Sequence, residues 1–172
     1  MSRDPKETVA LVTGATDGLG RALAERLAAI GMAVHIHGRS AEKLKRAREE
    51  IVAASGNDRI SIHRADLASL AEVRGLADEV GALDALHLLI NNAGIGSGLP
   101  DSPDREESAD GIELRFAVNY LAGFVLTERL LPLLERSAPA RIVMIASLGQ
   151  AALDFDDPRQ PPPAFNQQYR HN

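Results

Sequence analysis

The sequence predicts an α/β fold: a doubly wound parallel sheet of five strands in the order 3-2-1-4-5, with helices on both faces. Three observations carry that expectation. Short β-rich apolar runs alternate with stretches of helical periodicity along most of the chain. The run Leu86-His-Leu-Leu-Ile90 is almost continuously apolar, which suits a strand buried on both faces. Glycines cluster in Thr13-Gly14-Ala-Thr-Asp-Gly18-Leu-Gly20, between the first such run and the first helical pattern. Strands joined through helices of this length require right-handed crossovers and hence parallel pairing.

Each element has its own local reason. Thr8 to Thr13 is a β-rich run ended by Gly14. Leu19, Leu23, Leu27 and Ile30 recur at helical spacing until Gly31 stops the helix. Ala33 to His37 reads as the second strand. Ser40 is a good N-cap for a helix to Ala54, with Leu44, Ala47, Ile51 and Val52 on its apolar side. Arg59 to His63 is the third strand, followed by a helix near 69–80. After the fourth strand a polar insert, Gly96 to Asp110, leads into a long helix from about Ile112 to Arg136. On this helix Phe116, Leu121, Phe124, Val125 and Leu130 are expected to lack a packing partner, whereas Glu113, Arg115, Glu128 and Arg129 read as a solvated face. Arg141 to Ala146 is the fifth strand. The Pro-rich stretch Asp156 to Pro163 continues neither helix nor central strand. The expected organisation is one domain over 1–150 and an irregular tail over 151–172.

Composition narrows the class. The chain has 172 residues and a net charge of −5, without the positive excess that a nucleic-acid binder uses. It contains no cysteine, which excludes a disulfide framework, a thiolate nucleophile and Cys-ligated metal. Aromatic residues make up only 3%, too few for a base-stacking platform. No uncharged run reaches the length of a bilayer span, and MSRDPKE lacks the apolar core of a signal peptide. A cytoplasmic protein with no membrane and no nucleic-acid partner is expected.

The glycine loop points to a ligand. Glycines allow a tight turn and close backbone approach, and the helix N-terminus offers free N–H groups and a positive dipole end to a pyrophosphate. A P-loop is excluded because no Gly-Lys-Ser/Thr follows. The spacing of Gly14, Gly18 and Gly20, together with Asn91-Asn-Ala-Gly94 after the fourth strand, resembles the short-chain dehydrogenase/reductase family over roughly residues 8–154. The resemblance implies a Rossmann-type domain that binds a nicotinamide dinucleotide. Gly14, Thr16, Asp17, Gly18, Leu19 and Gly20 would hold the phosphates, and Asn92, Ala93 and Gly94 would line the pocket. Asp66, followed by Leu67, matches the family acid that contacts the adenine.

The second strand bears on which dinucleotide is bound. An NAD site places a carboxylate there for the ribose hydroxyls. Here the segment reads His37-Gly38-Arg39-Ser40, with no acid. Arg39 can pair with a 2′-phosphate and Ser40 can donate a hydroxyl, so NADP is expected over NAD. His35 and His37 share a strand face and read as packing residues, and no metal site is expected.

The resemblance further implies hydride transfer between NADP(H) and an alcohol or carbonyl substrate. By motif match, Asn119 holds a water in a proton relay and Ser147 orients the substrate carbonyl. Tyr169 stands at the family interval for the catalytic acid, but the Lys four residues on would fall one position beyond Asn172. Residues through Asp157 fit the family and Pro158 to Asn172 do not, the abrupt change that a C-terminally truncated or frame-disrupted coding sequence would produce. The alternative to an active oxidoreductase is therefore a nucleotide-binding chain without turnover. The apolar faces of Ile142, Val143, Met144 and Ile145 are expected to be under-covered, which makes a homo-oligomer compatible with the sequence.

Overall fold

The computed structural model describes residues 4–96 and 106–146. Its strands are β1 (Val9–Val12), β2 (Ala33–Gly38), β3 (Ile60–Arg64), β4 (Leu88–Asn91) and β5 (Arg141–Met144). They form one parallel sheet in the order β3-β2-β1-β4-β5, the predicted one. The helices are α1 (Gly18–Ala29), α2 (Ala41–Ser55), α3 (Leu70–Gly81) and α4 (Leu114–Arg136).

Strand alternation divides the core in two. On one face Val12, Val34, Ile36, Ile60 and Ile90 pack with Ala24 and Ala28 of α1 and with Leu44, Ala47 and Ile51 of α2. On the other, Leu11 and Leu89 meet Val73, Leu76 and Val80 of α3 and Leu126, Leu130 and Leu133 of α4. Leu130, expected to lack a partner, is fully buried there. Among the described residues α4 has the length and composition to cross a membrane, which the count of uncharged runs did not anticipate. Its leucine stripe is nevertheless occupied by α3 in the core.

The caps explain where the helices begin. Ser40 Oγ accepts the Lys43 N–H at the start of α2, and Ser69 Oγ accepts the Glu72 N–H at the start of α3. Glu113 departs from its expected solvated role. It is 5% exposed, accepts the Phe116 N–H at 2.7 Å and pairs with Arg115 at 3.1 Å, so it caps α4. Arg129 stays on the exposed face as expected, reaching Asp78 of α3 at 2.7 Å. Within α4 the stretch Ala117–Leu121 is a π-helix, closed by a bond from the Ala122 N–H to the Ala117 carbonyl. The sequence pattern suggested an unbroken α-helix.

At the β5 edge Ile142, Val143, Met144 and Ile145 are exposed, as the sequence led us to expect. Ser147, Tyr169 and the tail 151–172 lie outside the described residues.

Candidate functional site

The carboxyl ends of β1, β2 and β4 surround a cleft of about 430 Å³, at the crevice where open α/β sheets hold ligands. Gly14, Thr16, Asp17, Gly18, Leu19 and Gly20 form one wall, and Asn92, Ala93 and Gly94 form the wall facing it. Arg39, Ser40, Asp66 and Leu67 line the end nearer β2 and β3. Four segments up to 80 positions apart in sequence are thereby gathered around one space because their strands end side by side.

The glycines have different jobs. Gly14 has φ +64°, and a Cβ there would sit 2.8 Å from Ala93 Cα. At Gly18 only the backbone conformation is demanding, with φ +53° and open space around it. Gly20 is helical, yet a Cβ would land on the Gly14 carbonyl oxygen and the Asn92 amide nitrogen. What its missing side chain admits is thus the loop's own backbone.

Thr13, absent from the sequence-derived site, closes the floor. Its buried hydroxyl accepts the N–H groups of Asn92 at 2.9 Å and Ala93 at 3.0 Å. Asn92 returns the contact, donating from Nδ2 to the Thr13 carbonyl at 2.9 Å and the Gly14 carbonyl at 3.2 Å. Asn91, pointing the other way, donates to Thr127 Oγ1 at 3.0 Å and lies 3.1 Å from Met144 Sδ. The paired asparagines therefore tie β4 to the glycine loop on one side and to α4 and β5 on the other. A hydroxyl residue directly before the first glycine was the available signal for Thr13.

At the β2 end the Arg39 side chain is exposed and makes no ion pair among the described residues. Lys43, one turn into α2, also lines the cleft, with Nζ 3.8 Å from Asp17 Oδ2. Its position three residues after the Ser40 cap was the signal for it. The acids at the cleft are Asp17 and Asp66, and neither stands at the end of β2. Asp66 Oδ1 accepts the Ala68 N–H at 2.9 Å, bracing the turn before α3.

Asn119 sits on the π-helix. Its Oδ1 accepts the Ile95 N–H at 2.8 Å and its Nδ2 donates to the Ile95 carbonyl at 3.0 Å. Both ends of the amide bond the segment after β4, so Asn119 braces this wall of the cleft.

His37 lies under the glycine loop, 2% exposed. Its Nδ1 is 3.3 Å from the Gly14 nitrogen and its Nε2 is 3.1 Å from the Ala65 carbonyl oxygen. Neighbouring His35 Nδ1 meets His63 Nε2 at 2.7 Å. Glu79 Oε1 lies 2.9 Å from His63 Nδ1, though outside hydrogen-bond geometry. Burial chiefly, and then the His63 ring, push His35 down to about 4, partly offset by Glu79. Burial likewise pushes His37 down to about 4, against the opposing pull of the Ala65 carbonyl. Among the described residues no group of three or more His, Cys, Asp or Glu is placed to hold a metal.

These shifts set a pH dependence. Both rings stay neutral in the fold but protonate near 6.5 in the unfolded chain, so below that pH the unfolded state binds more protons. Stability is expected to be fully present above pH 6.5 and to fall as pH drops toward about 4. Thermal midpoints at half-unit pH steps test this. A midpoint that holds steady or rises across that window would contradict it.

The match to known proteins agrees with this geometry. The family model for short chain dehydrogenase matches residues 8–152, and the chain belongs to that family. Retinol dehydrogenase 11 of Mus musculus is 42% identical over 142 residues, which are 82% of this chain and 43% of that protein. Polyprenol dehydrogenase of Mus musculus is 43% identical over 145 residues, 83% of this chain and 42% of that protein. The chain thus spans less than half the length of these curated relatives. Among solved structures, a short-chain dehydrogenase from Sphingobium yanoikuyae in complex with NADPH superposes with a TM-score of 0.70 at 27% identity, covering 83% of this chain and 54% of that one. A metagenomic short-chain oxidoreductase in complex with NADP gives 0.71 at 32% identity, covering 85% and 65%.

Proposed function

We propose that this chain binds NADP(H) in the cleft and serves hydride transfer between that cofactor and an alcohol or carbonyl substrate. The observation that carries the choice of NADP is the end of β2, where Arg39 stands with Lys43 nearby and no carboxylate. A carboxylate would repel a 2′-phosphate, whereas a guanidinium can pair with it through charge-assisted bonds. Two similar solved structures, in complex with NADPH and with NADP, support the same reading.

The residues present fit the dinucleotide. The loop before α1 carries no side chain at Gly14, Gly18 or Gly20, and a Cβ at Gly14 would collide with Ala93, one at Gly20 with the Gly14 carbonyl and Asn92. The backbone N–H groups at the start of α1 would hold the pyrophosphate. Arg39, Ser40 and Lys43 would hold the 2′-phosphate, Asp66 and Leu67 the adenine, and Asn92 to Gly94 the nicotinamide side. When bound, the nicotinamide supplies or accepts the hydride. In this reading Ser147 orients the substrate oxygen, Asn119 holds a water in the proton relay and Tyr169 is the proton donor. We extend the proposal to a cytoplasmic location, supported by the acidic, cysteine-free composition. Self-association is supported by the exposed aromatics Tyr120 and Phe124 on α4.

Calorimetry with NADPH and NADH tests the cofactor reading. NADPH is expected to bind more tightly. Arg39→Ala is expected to weaken NADPH by about tenfold or more, the scale of one lost charge-assisted bond, and to leave NADH little changed. Equal affinities for the two nucleotides in the unaltered protein would overturn the NADP preference.

A further inference from the structure

The buried imidazole of His37 is unused by the reading above, and its two contacts are chemically distinct. The Gly14 backbone nitrogen can only donate and the Ala65 carbonyl can only accept. Both bonds form together only when the ring is neutral, with its proton on Nε2 and its lone pair on Nδ1. Gly14 opens the phosphate loop between β1 and α1. Ala65 precedes Asp66, at the adenine end of the cleft. These segments lie 51 positions apart in sequence and share no strand pairing, because β2 runs between β1 and β3.

We propose that His37 is a positioning residue for the dinucleotide: one neutral imidazole locks the phosphate loop at Gly14 to the adenine segment at Ala65–Asp66, so that both ends of the cleft keep a fixed spacing. This rests on the cofactor reading above. The rest of its surroundings favour the neutral ring. Burial and the facing His63 of β3 disfavour a charged His37 ring, while the Ala65 carbonyl and Asp66 pull the other way. Glu79 of α3 faces His63, and His35 is itself bonded to His63, so the His37 lone pair is left to the Gly14 N–H. A proton on Nδ1 would set two donors against each other at Gly14.

The test uses the full chain in two arms. In the binding arm, calorimetry compares NADPH affinity in the unaltered protein, His37→Ala and His37→Gln, with circular dichroism confirming that each is folded. Glutamine keeps one acceptor and one donor. Alanine is expected to weaken NADPH by about tenfold, the scale of losing a hydrogen-bonded bridge, and glutamine to recover most of that loss. In the ligand-free arm, long-range ¹⁵N spectra are expected to show His37 protonated at Nε2 only, with the Gly14 amide shifting in His37→Ala. A Gly14 amide unmoved by His37→Ala, or a proton on Nδ1, would overturn the proposal. So would an alanine variant that binds NADPH as the unaltered protein does. If no form of the chain binds either nucleotide, the cofactor reading fails and the positioning role in binding falls with it. The spectra then still decide the Gly14–Ala65 bridge on their own.

Discussion

Replacing Gly20 by alanine is expected to abolish NADPH binding and to lower stability by about 3 kcal/mol, the upper end for overpacking. For a domain of this size that is a drop on the order of 10 °C in the thermal midpoint. The added methyl would land on the Gly14 carbonyl oxygen and Asn92 Nδ2, and 3.0 Å from the Gly14 carbonyl carbon. A flexible side chain could swing away, but two of these obstacles are backbone. The third is an amide already committed to Thr13 and Gly14. Relief therefore requires α1 to retreat from the loop, which opens the pyrophosphate cradle. Gly75→Ala in α3 is the matched control, since nothing lies within 4 Å of a Cβ there. It is expected to stabilise by about 1 kcal/mol through helix propensity alone. Thermal unfolding of both variants checks the pair, and a Gly20→Ala midpoint close to that of the unaltered chain would refute the argument.

Thr13→Val is expected to cost about 3 kcal/mol, whereas Thr13→Ser should cost about 1 kcal/mol for its lost methyl. Valine keeps the shape of threonine but removes the oxygen that accepts from Asn92 and Ala93. Two backbone amides are then left without an acceptor at a buried junction, and each unsatisfied group costs about 1–3 kcal/mol. The loss falls where β1 and β4 diverge to make the cleft, so the local effect should exceed the global one. Urea titration gives the global cost. Hydrogen exchange at the Asn92 and Ala93 amides should accelerate in the valine variant and stay near its original rate with serine. Equal behaviour of valine and serine would show that the hydroxyl does not hold this junction.

Much of this protein is legible in its sequence because the signals are local. The strand runs are short and bounded by glycine, and Ser40 and Ser69 announce α2 and α3 through caps that act within one turn. The alternation of strands and helices imposes parallel pairing, and the two-half pattern imposes the strand order that the sheet displays. The positions lining the cleft were legible for the same reason: each lies just after a strand, where the glycine loop, Arg39, Asp66 and Asn92 each stand.

Tertiary structure alone decided which of these residues hold one another. Thr13 accepts from residues just past a strand nearly 80 positions away, and His37 bridges loops that are neighbours only across the sheet. Glu113 carries a charge that composition assigns to solvent. It is buried because the amide at the start of α4 and the Arg115 guanidinium both turn toward it. The π-helix at Ala117–Leu121 has no signature in a pattern of apolar spacing, since one wider turn changes the hydrogen-bond ladder without changing residue type. Local preference determines where the chain turns and what each element faces. Which donor meets which acceptor depends on distances between strands that the chain cannot state until the sheet has closed around them.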